Sequence, residues 1–124
     1  MRHTAKAIST VTSVAALLGS LAFAIPGISL AADEATIAEG KKIAFDRKKG
    51  NCLACHQIEG GRLAGNIGPP LVAMKDRFPD KSKLRSQVND SRKMNPNTMM
   101  PPFGPHEILS QGEIDKVVEF IYTL

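Results

Sequence analysis

The stretch Gly50-Asn51-Cys52-Leu53-Ala54-Cys55-His56 constrains this chain more than any other, because its two cysteines and the following histidine repeat at one helical turn. Residues at i, i+3 and i+4 share a face, so Cys52, Cys55 and His56 all aim at one object. Two thiols so spaced can add to the vinyl groups along one side of a porphyrin, while the imidazole reaches the iron as proximal ligand. Cys-x-x-Cys-His is therefore read as the attachment sequence for one covalent c-type haem. Asn51 is read as the N-cap of that turn, and Gly50 as the residue that gives the backbone its freedom of φ.

Three other uses of the cysteines fit less well. A Cys52–Cys55 disulfide would close a very small loop and stabilise little. A thioredoxin-like redox pair would need an early strand and a βαβ pattern, which the sequence lacks. A zinc knuckle needs a second pair of ligands, and the chain has two cysteines in all.

The beginning of the chain reads as an export leader over residues 1–31. Arg2, His3 and Lys6 supply a basic start, Ala7 to Ile25 is uncharged and apolar, and Ser29-Leu30-Ala31 offers the small residues of a cleavage site. An uncleaved anchor is the competing use of the apolar run, and Pro26-Gly27 before the cleavage-like site favours removal. Haem is joined to such motifs outside the bacterial cytoplasm, so leader and motif together predict a periplasmic protein that meets the membrane only during export. The domain that follows, residues 32–124, is small enough that its own apolar core would be marginal, and a buried haem supplies what is missing.

Charge excludes another class. Removing residues 1–31 takes Arg2 and Lys6 and no acid, lowering the formal +4 of the whole chain by two. With few aromatic residues and no basic-aromatic pattern, nucleic-acid binding has no support.

The remaining elements read as helices joined by loops, an all-α fold. Asp33 to Lys49 is amphipathic, with Ile37, Gly40, Ala44 and Lys48 on the 3.6 period and Ile43 and Phe45 widening the apolar face. Gly40 costs about 1 kcal/mol against Ala inside a helix, which points to close approach by a second helix. After the motif come a glycine-rich loop, Glu59 to Ile67, and Gly68-Pro69-Pro70-Leu71. Haem-ligating histidines hand their other ring proton to an acceptor, and that role is assigned to the Pro69 carbonyl, with Leu71 packing on the haem. Leu71, Met74 and Phe78 recur at helical spacing, which makes Met74 core filler. Asp80 caps a short helix from Lys81 to Asp90 with Leu84 and Val88 inward, and Lys81, Lys83 and Arg85 are read as its solvated face. Ser110-Gln111-Gly112-Glu113 is a capping box for a helix from Gln111 to Tyr122. Its stripe is Ile114, Val117, Val118 and Ile121, and Phe120 or Tyr122 is placed to meet Gly40.

Between these helices, Ser91 to Pro105 reads as an irregular loop carrying candidates for the second axial position: Met94, Met99, Met100 and His106. If the segment is extended, Met99 and Met100 point to opposite sides and one of them can face iron. The two prolines after Met100 restrict its backbone and make a stiff mount for a weak ligand.

Taken in order, the helix with Gly40, Cys52-x-x-Cys55-His56, Gly68-Pro69-x-Leu71, the methionine loop and the last helix resemble a class I cytochrome c. Arg77-Phe78-Pro79-Asp80, Asn95-Pro96-Asn97-Thr98-x-Met100-Pro101-Pro102-Phe103-Gly104, and the ending from Glu113 to Leu124 resemble, more narrowly, the SoxX family. That family is the small monohaem subunit of the SoxAX complex of sulfur-oxidising bacteria. The resemblance implies that Met100 is the distal ligand, with His56 opposite, and that the partner is a larger SoxA-type haem subunit. It also implies an L-cysteine S-thiosulfotransferase complex that joins thiosulfate to a cysteine of a sulfur-carrier protein and passes electrons to a downstream acceptor. The isolated chain is then an electron-transfer protein with no catalytic residue of its own. A free-standing electron shuttle and a ligand-binding haem sensor with an open distal position are the other function classes.

Overall fold

The computed structural model describes residues 34–124, so the leader read at 1–31 lies outside the described residues. These residues form α1 (Glu34–Phe45), α2 (Met74–Arg77), α3 (Lys81–Asn89) and α4 (Gln111–Ile121), with 3-10 turns at Cys52–Ala54 and Ser91–Lys93. No strand occurs among them, in line with the all-α expectation, and none of the described helices is long and apolar enough to cross a membrane.

α1 opens with Glu34 at its positive end and buries Gly40 and Ala44. It ends at Phe45 rather than Lys49. The Asp46 carboxylate accepts the Lys48 N–H at 2.8 Å, and the Asp46 carbonyl accepts from Asn51 at 2.9 Å. Such local side-chain bonding offers the backbone an alternative to another helical turn. Lys48 therefore leaves the helix and is exposed.

α1 packs across α4 at Gly40. A Cβ there would lie 1.9 Å from the Lys116 carbonyl oxygen and 3.0 Å from the Phe120 Cβ, so backbone meets backbone. Phe120, one of two expected neighbours, makes this contact and stacks edge-on against Phe45 with centroids 5.9 Å apart. Tyr122 turns elsewhere. Its hydroxyl donates to the Pro79 carbonyl at 3.3 Å, and Lys81 lies 4.8 Å from its ring centre.

α3 starts where Asp80 accepts the Ser82 N–H at 2.9 Å, and it buries Leu84 and Val88. Its basic face is not simply solvated. Lys81 pairs with Glu119 at 2.8 Å and Arg85 with Asp115 at 2.6 Å, tying α3 to α4, while Lys83 remains exposed. α4 carries the expected capping box between Ser110 and Glu113, and Ile114, Val117, Val118, Phe120 and Ile121 are buried.

Two consequences are measurable. Gly40→Ala should lower stability by about 1–3 kcal/mol despite alanine's better helix propensity, because the new methyl meets backbone that cannot yield. Gly112→Ala, whose Cβ would meet nothing within 4 Å, should be neutral or slightly stabilising. Denaturant titration of the two holoproteins checks the contrast.

Glu113 gives the second. Hydrogen bonds from Lys49 and from the Ser110 N–H lower its carboxyl from 4.5 to about 2. A group depressed in the folded state contributes stability that is present above pH 4.5 and lost as pH falls toward about 2. Glu113→Gln should therefore flatten the acid limb of a plot of denaturation midpoint against pH, and salt should flatten it too.

Candidate functional site

Cys52 and Cys55 lie on and just after a 3-10 turn that begins at Asn51, the residue carrying the turn's unusual backbone. Asn51 sits in the left-handed region at φ 46° and makes no side-chain cap, while its carbonyl accepts the Ala54 N–H at 3.0 Å. The expected roles of Asn51 and Gly50 are thus exchanged: Asn supplies the positive φ it tolerates better than most residues. Gly50 is needed for space, since a Cβ would lie 2.9 Å from the Ile43 carbonyl oxygen and 3.1 Å from the Ala44 Cα. The His56 N–H closes the turn onto the Cys52 carbonyl at 2.9 Å, and Cys52, Cys55 and His56 then line one cavity.

His56 is held from the far side. Its Nδ1 lies 2.7 Å from the Pro69 carbonyl oxygen. A carbonyl only accepts, so Nδ1 carries a proton, and in the neutral ring Nε2 is the nitrogen with the free lone pair. The ring packs on Gly68, where a Cβ would fall 2.4 Å from Cε1 and 2.6 Å from Nδ1. The Gly68 N–H in turn donates to the Cys55 carbonyl at 2.8 Å, which folds this loop back over the motif. The sequence around Gly68 gives no reason for glycine there; the reason lies in a ring from another segment.

The cavity has a volume of about 360 Å³. Leu71, Met74, Leu84, Val88 and Phe103 are among its apolar walls. Its polar side chains include Arg77, Gln87, Asn95, Asn97 and Thr98, and among the described residues no carboxylate lines it. Arg77 donates to the Pro70 carbonyl at 2.8 Å and to the Met74 sulfur at 3.4 Å. An apolar chamber with one guanidinium and no acid suits a large flat apolar group that bears carboxylates. Haem fits that description. Arg77, Asn95 and Asn97 entered the sequence reading only as parts of family-like motifs and Gln87 not at all, because each borders the chamber through tertiary packing.

The four distal candidates separate. His106 and Met94 are exposed and do not line the cavity. Met99 touches its rim yet is 80 % exposed, whereas Met100 is half-buried on the wall. Met74 is core, as its spacing implied, although it also borders the chamber.

Burial pushes the Cys52 thiol up to about 11; a backbone hydrogen bond lowers it by less, and Cys55 adds a smaller push upward. Reactive cysteines are shifted the other way, so this thiol is poorly suited to redox exchange. Among the described residues no cluster of three or more His, Cys, Asp or Glu could hold a metal ion.

Comparison with known proteins agrees. The cytochrome c family model matches residues 37–124, and the chain belongs to that family. Within it the chain is of the SoxX type. Its structure is similar to the crystal structure of SoxXA from P. pantotrophus, with a TM-score of 0.63 and 30% identity, covering 69% of this chain and 79% of that one. A curated relative, an uncharacterized lipoprotein of Aquifex aeolicus (strain VF5), is 33% identical over 76 residues, 60% of this chain. The match spans 37% of that relative's length. As a cytochrome c, the chain carries covalent haem c and transfers electrons.

Intact-mass measurement of protein from a haem-competent host should show one added haem and no free thiol. Replacing both Cys52 and Cys55 by Ser should abolish that mass increment and most of the far-ultraviolet helical signal, since the chamber walls then lack a permanent filling.

Proposed function

We propose that this chain is the electron-accepting monohaem subunit of a periplasmic complex that joins thiosulfate to a carrier-protein cysteine. In this reading residues 1–31 are the export leader and residues 32–124 the cytochrome domain. The observation that carries the reading is the 30% identity to a chain of SoxXA over a shared fold, the name of that structure indicating a complex. Cys52 and Cys55 hold haem c as thioethers, His56 is its proximal ligand oriented by Pro69, Leu71 packs on it, and Met100 is the distal ligand. Haem c, once bound, supplies a one-electron iron couple.

The chain's own residues argue that bond formation happens elsewhere. Joining a carrier thiol, R–SH, to thiosulfate gives R–S–S–SO₃⁻, one proton and two electrons, so a single one-electron centre is half of what is needed. Both cysteines of the chain are consumed by the cofactor, leaving no thiol to attack sulfur. His56 and Met100 together close both axial positions, leaving none for substrate. The bond-forming site therefore belongs to the larger SoxA-type haem subunit, and electrons leave this chain for a downstream acceptor. Leu63, Ile67 and Met99 are exposed apolar side chains, the last two on the cavity rim, which favours burial against such a partner.

Purified holoprotein mixed with thiosulfate, a carrier cysteine and an electron acceptor should show no turnover, and turnover should appear when the larger subunit is added. Conjugation by the isolated chain would overturn the proposal. Failure to form a complex would favour a free-standing shuttle, and carbon monoxide binding by the unaltered ferrous protein would favour a sensor.

A further inference from the structure

Methionine is a weak iron ligand on a flexible side chain, and here two of them stand side by side. The neighbours of Met100 are unlike those of an ordinary loop residue. Its N–H donates to Thr98 Oγ1 at 3.1 Å, and its carbonyl accepts from Ser91 Oγ at 2.8 Å. Its sulfur lies 3.6 Å from Gln87 Nε2, a donor to the larger and weakly accepting thioether. Backbone donor, backbone acceptor and side-chain sulfur are thus each met by a different polar side chain.

These side chains are themselves well mounted. Gln87 stands on α3 beside the buried Val88, and α3 is tied to α4 through Arg85 and Asp115. Ser91 is completely buried, and its 3-10 turn is capped by Asp90, which accepts the Arg92 N–H at 3.3 Å. Thr98 is half-buried on the cavity wall. Pro101 then restricts the backbone of Met100.

We propose that Gln87, Ser91 and Thr98 form a polar clamp that holds the Met100 thioether at the cavity and resists its displacement by an outside ligand. The inference rests on the reading of Met100 as distal ligand. A thioether offers two lone pairs, and donation from Gln87 to one directs the other away from α3. The Ser91 and Thr98 hydroxyls fix the peptide groups on either side, so an incoming ligand must break these bonds as well as the iron–sulfur bond. The clamp makes Met100 and the exposed Met99 inequivalent. Gln87, Ser91 and Thr98 are positioning residues, acting through Met100.

Imidazole, which competes with a thioether for ferric iron, is the probe, with the holoprotein titrated spectrophotometrically. Gln87→Leu and Thr98→Val should each bind imidazole about three- to tenfold more tightly than the unaltered protein, the worth of one net hydrogen bond. Thr98→Ser keeps the hydroxyl and should stay within about twofold of the unaltered protein. A residue that merely supports the fold would move the denaturation midpoint without this pattern. Thr98 lies on a mostly exposed loop, so its variants retain the fold even if Gln87→Leu does not. Met100→Ala separates the two levels of the argument: it should abolish the weak sulfur-to-iron band at the red end of the ferric spectrum. If that band survives, the ligand reading fails and the clamp with it. If it is lost while Gln87→Leu and Thr98→Val bind imidazole like the unaltered protein, the clamp is overturned and the ligand reading stands.

Discussion

Much of the interior of this protein is lined rather than filled. Among the described residues, eight of the thirteen buried apolar side chains, from Leu71 to Ile121, border the cavity, so on one side they have no protein to pack against. A chamber of about 360 Å³ kept dry and closed would cost on the order of 9 kcal/mol at ~24 cal/mol per Å³. That is comparable with the whole stability of a typical domain, roughly 5–15 kcal/mol. The cofactor of a small cytochrome c is therefore structural before it is functional. Covalent attachment suits this dependence, because a core that could dissociate would take the fold with it.

The remaining buried residues include Ala44, Ile114, Val118 and Phe120, none of which borders the chamber. They belong to the crossing of α1 and α4, where Gly40 lets the two backbones touch. α4 thus works on two sides: Ile114 and Val118 belong to the protein-only packing, whereas Val117 and Ile121 line the chamber. Its charged residues complete the arrangement. Glu113, Asp115, Lys116 and Glu119 pair with Lys49, Arg85, Glu39 and Lys81 respectively. Exposed pairs of this kind contribute about 0–1 kcal/mol each, so their part is to orient α1 and α3 about α4 rather than to hold the fold together.

What could be read from the sequence was local. The capping box at Ser110, the Asp80 cap and the stripe of α4 are set by residues within a few positions of one another, and all three occur as expected. The end of α1 was misplaced because the Asp46 side chain outcompetes a further turn, a contest that apolar periodicity does not register. Lys81 and Arg85 looked solvated for a different reason: their acidic partners lie on α4, far along the chain. The same limit hid Gly68. Its neighbours in sequence suggest a turn, while the atoms that forbid a side chain there belong to His56. Gln87 and Ser91 were equally invisible, since nothing in a short polar helix announces which thioether it will face.

On the proposed ligation by His56 and Met100, the two sides of the site are anchored by different sets of contacts, and ligand strength accounts for the difference. In that reading the His56 imidazole is the stronger ligand, and the Pro69 carbonyl and the flat face of Gly68 orient its ring. A thioether binds weakly, so whatever freedom it keeps when unbound must be removed at the moment of ligation. Contacts made in advance at its N–H, its carbonyl and its sulfur remove that freedom during folding instead, when packing of α3 on α4 can offset it. An electron-transfer site benefits in a second way. Oxidation and reduction proceed fastest when the ligands need not move between the two states, and a mount fixed by the protein is indifferent to the charge on the iron. The loop from Ser91 to Pro105 is irregular in outline, yet the N–H, carbonyl and sulfur of Met100 each meet a polar side chain. In that reading the mount of the weaker ligand comes from polar side chains borrowed from neighbouring elements, not from secondary structure of its own.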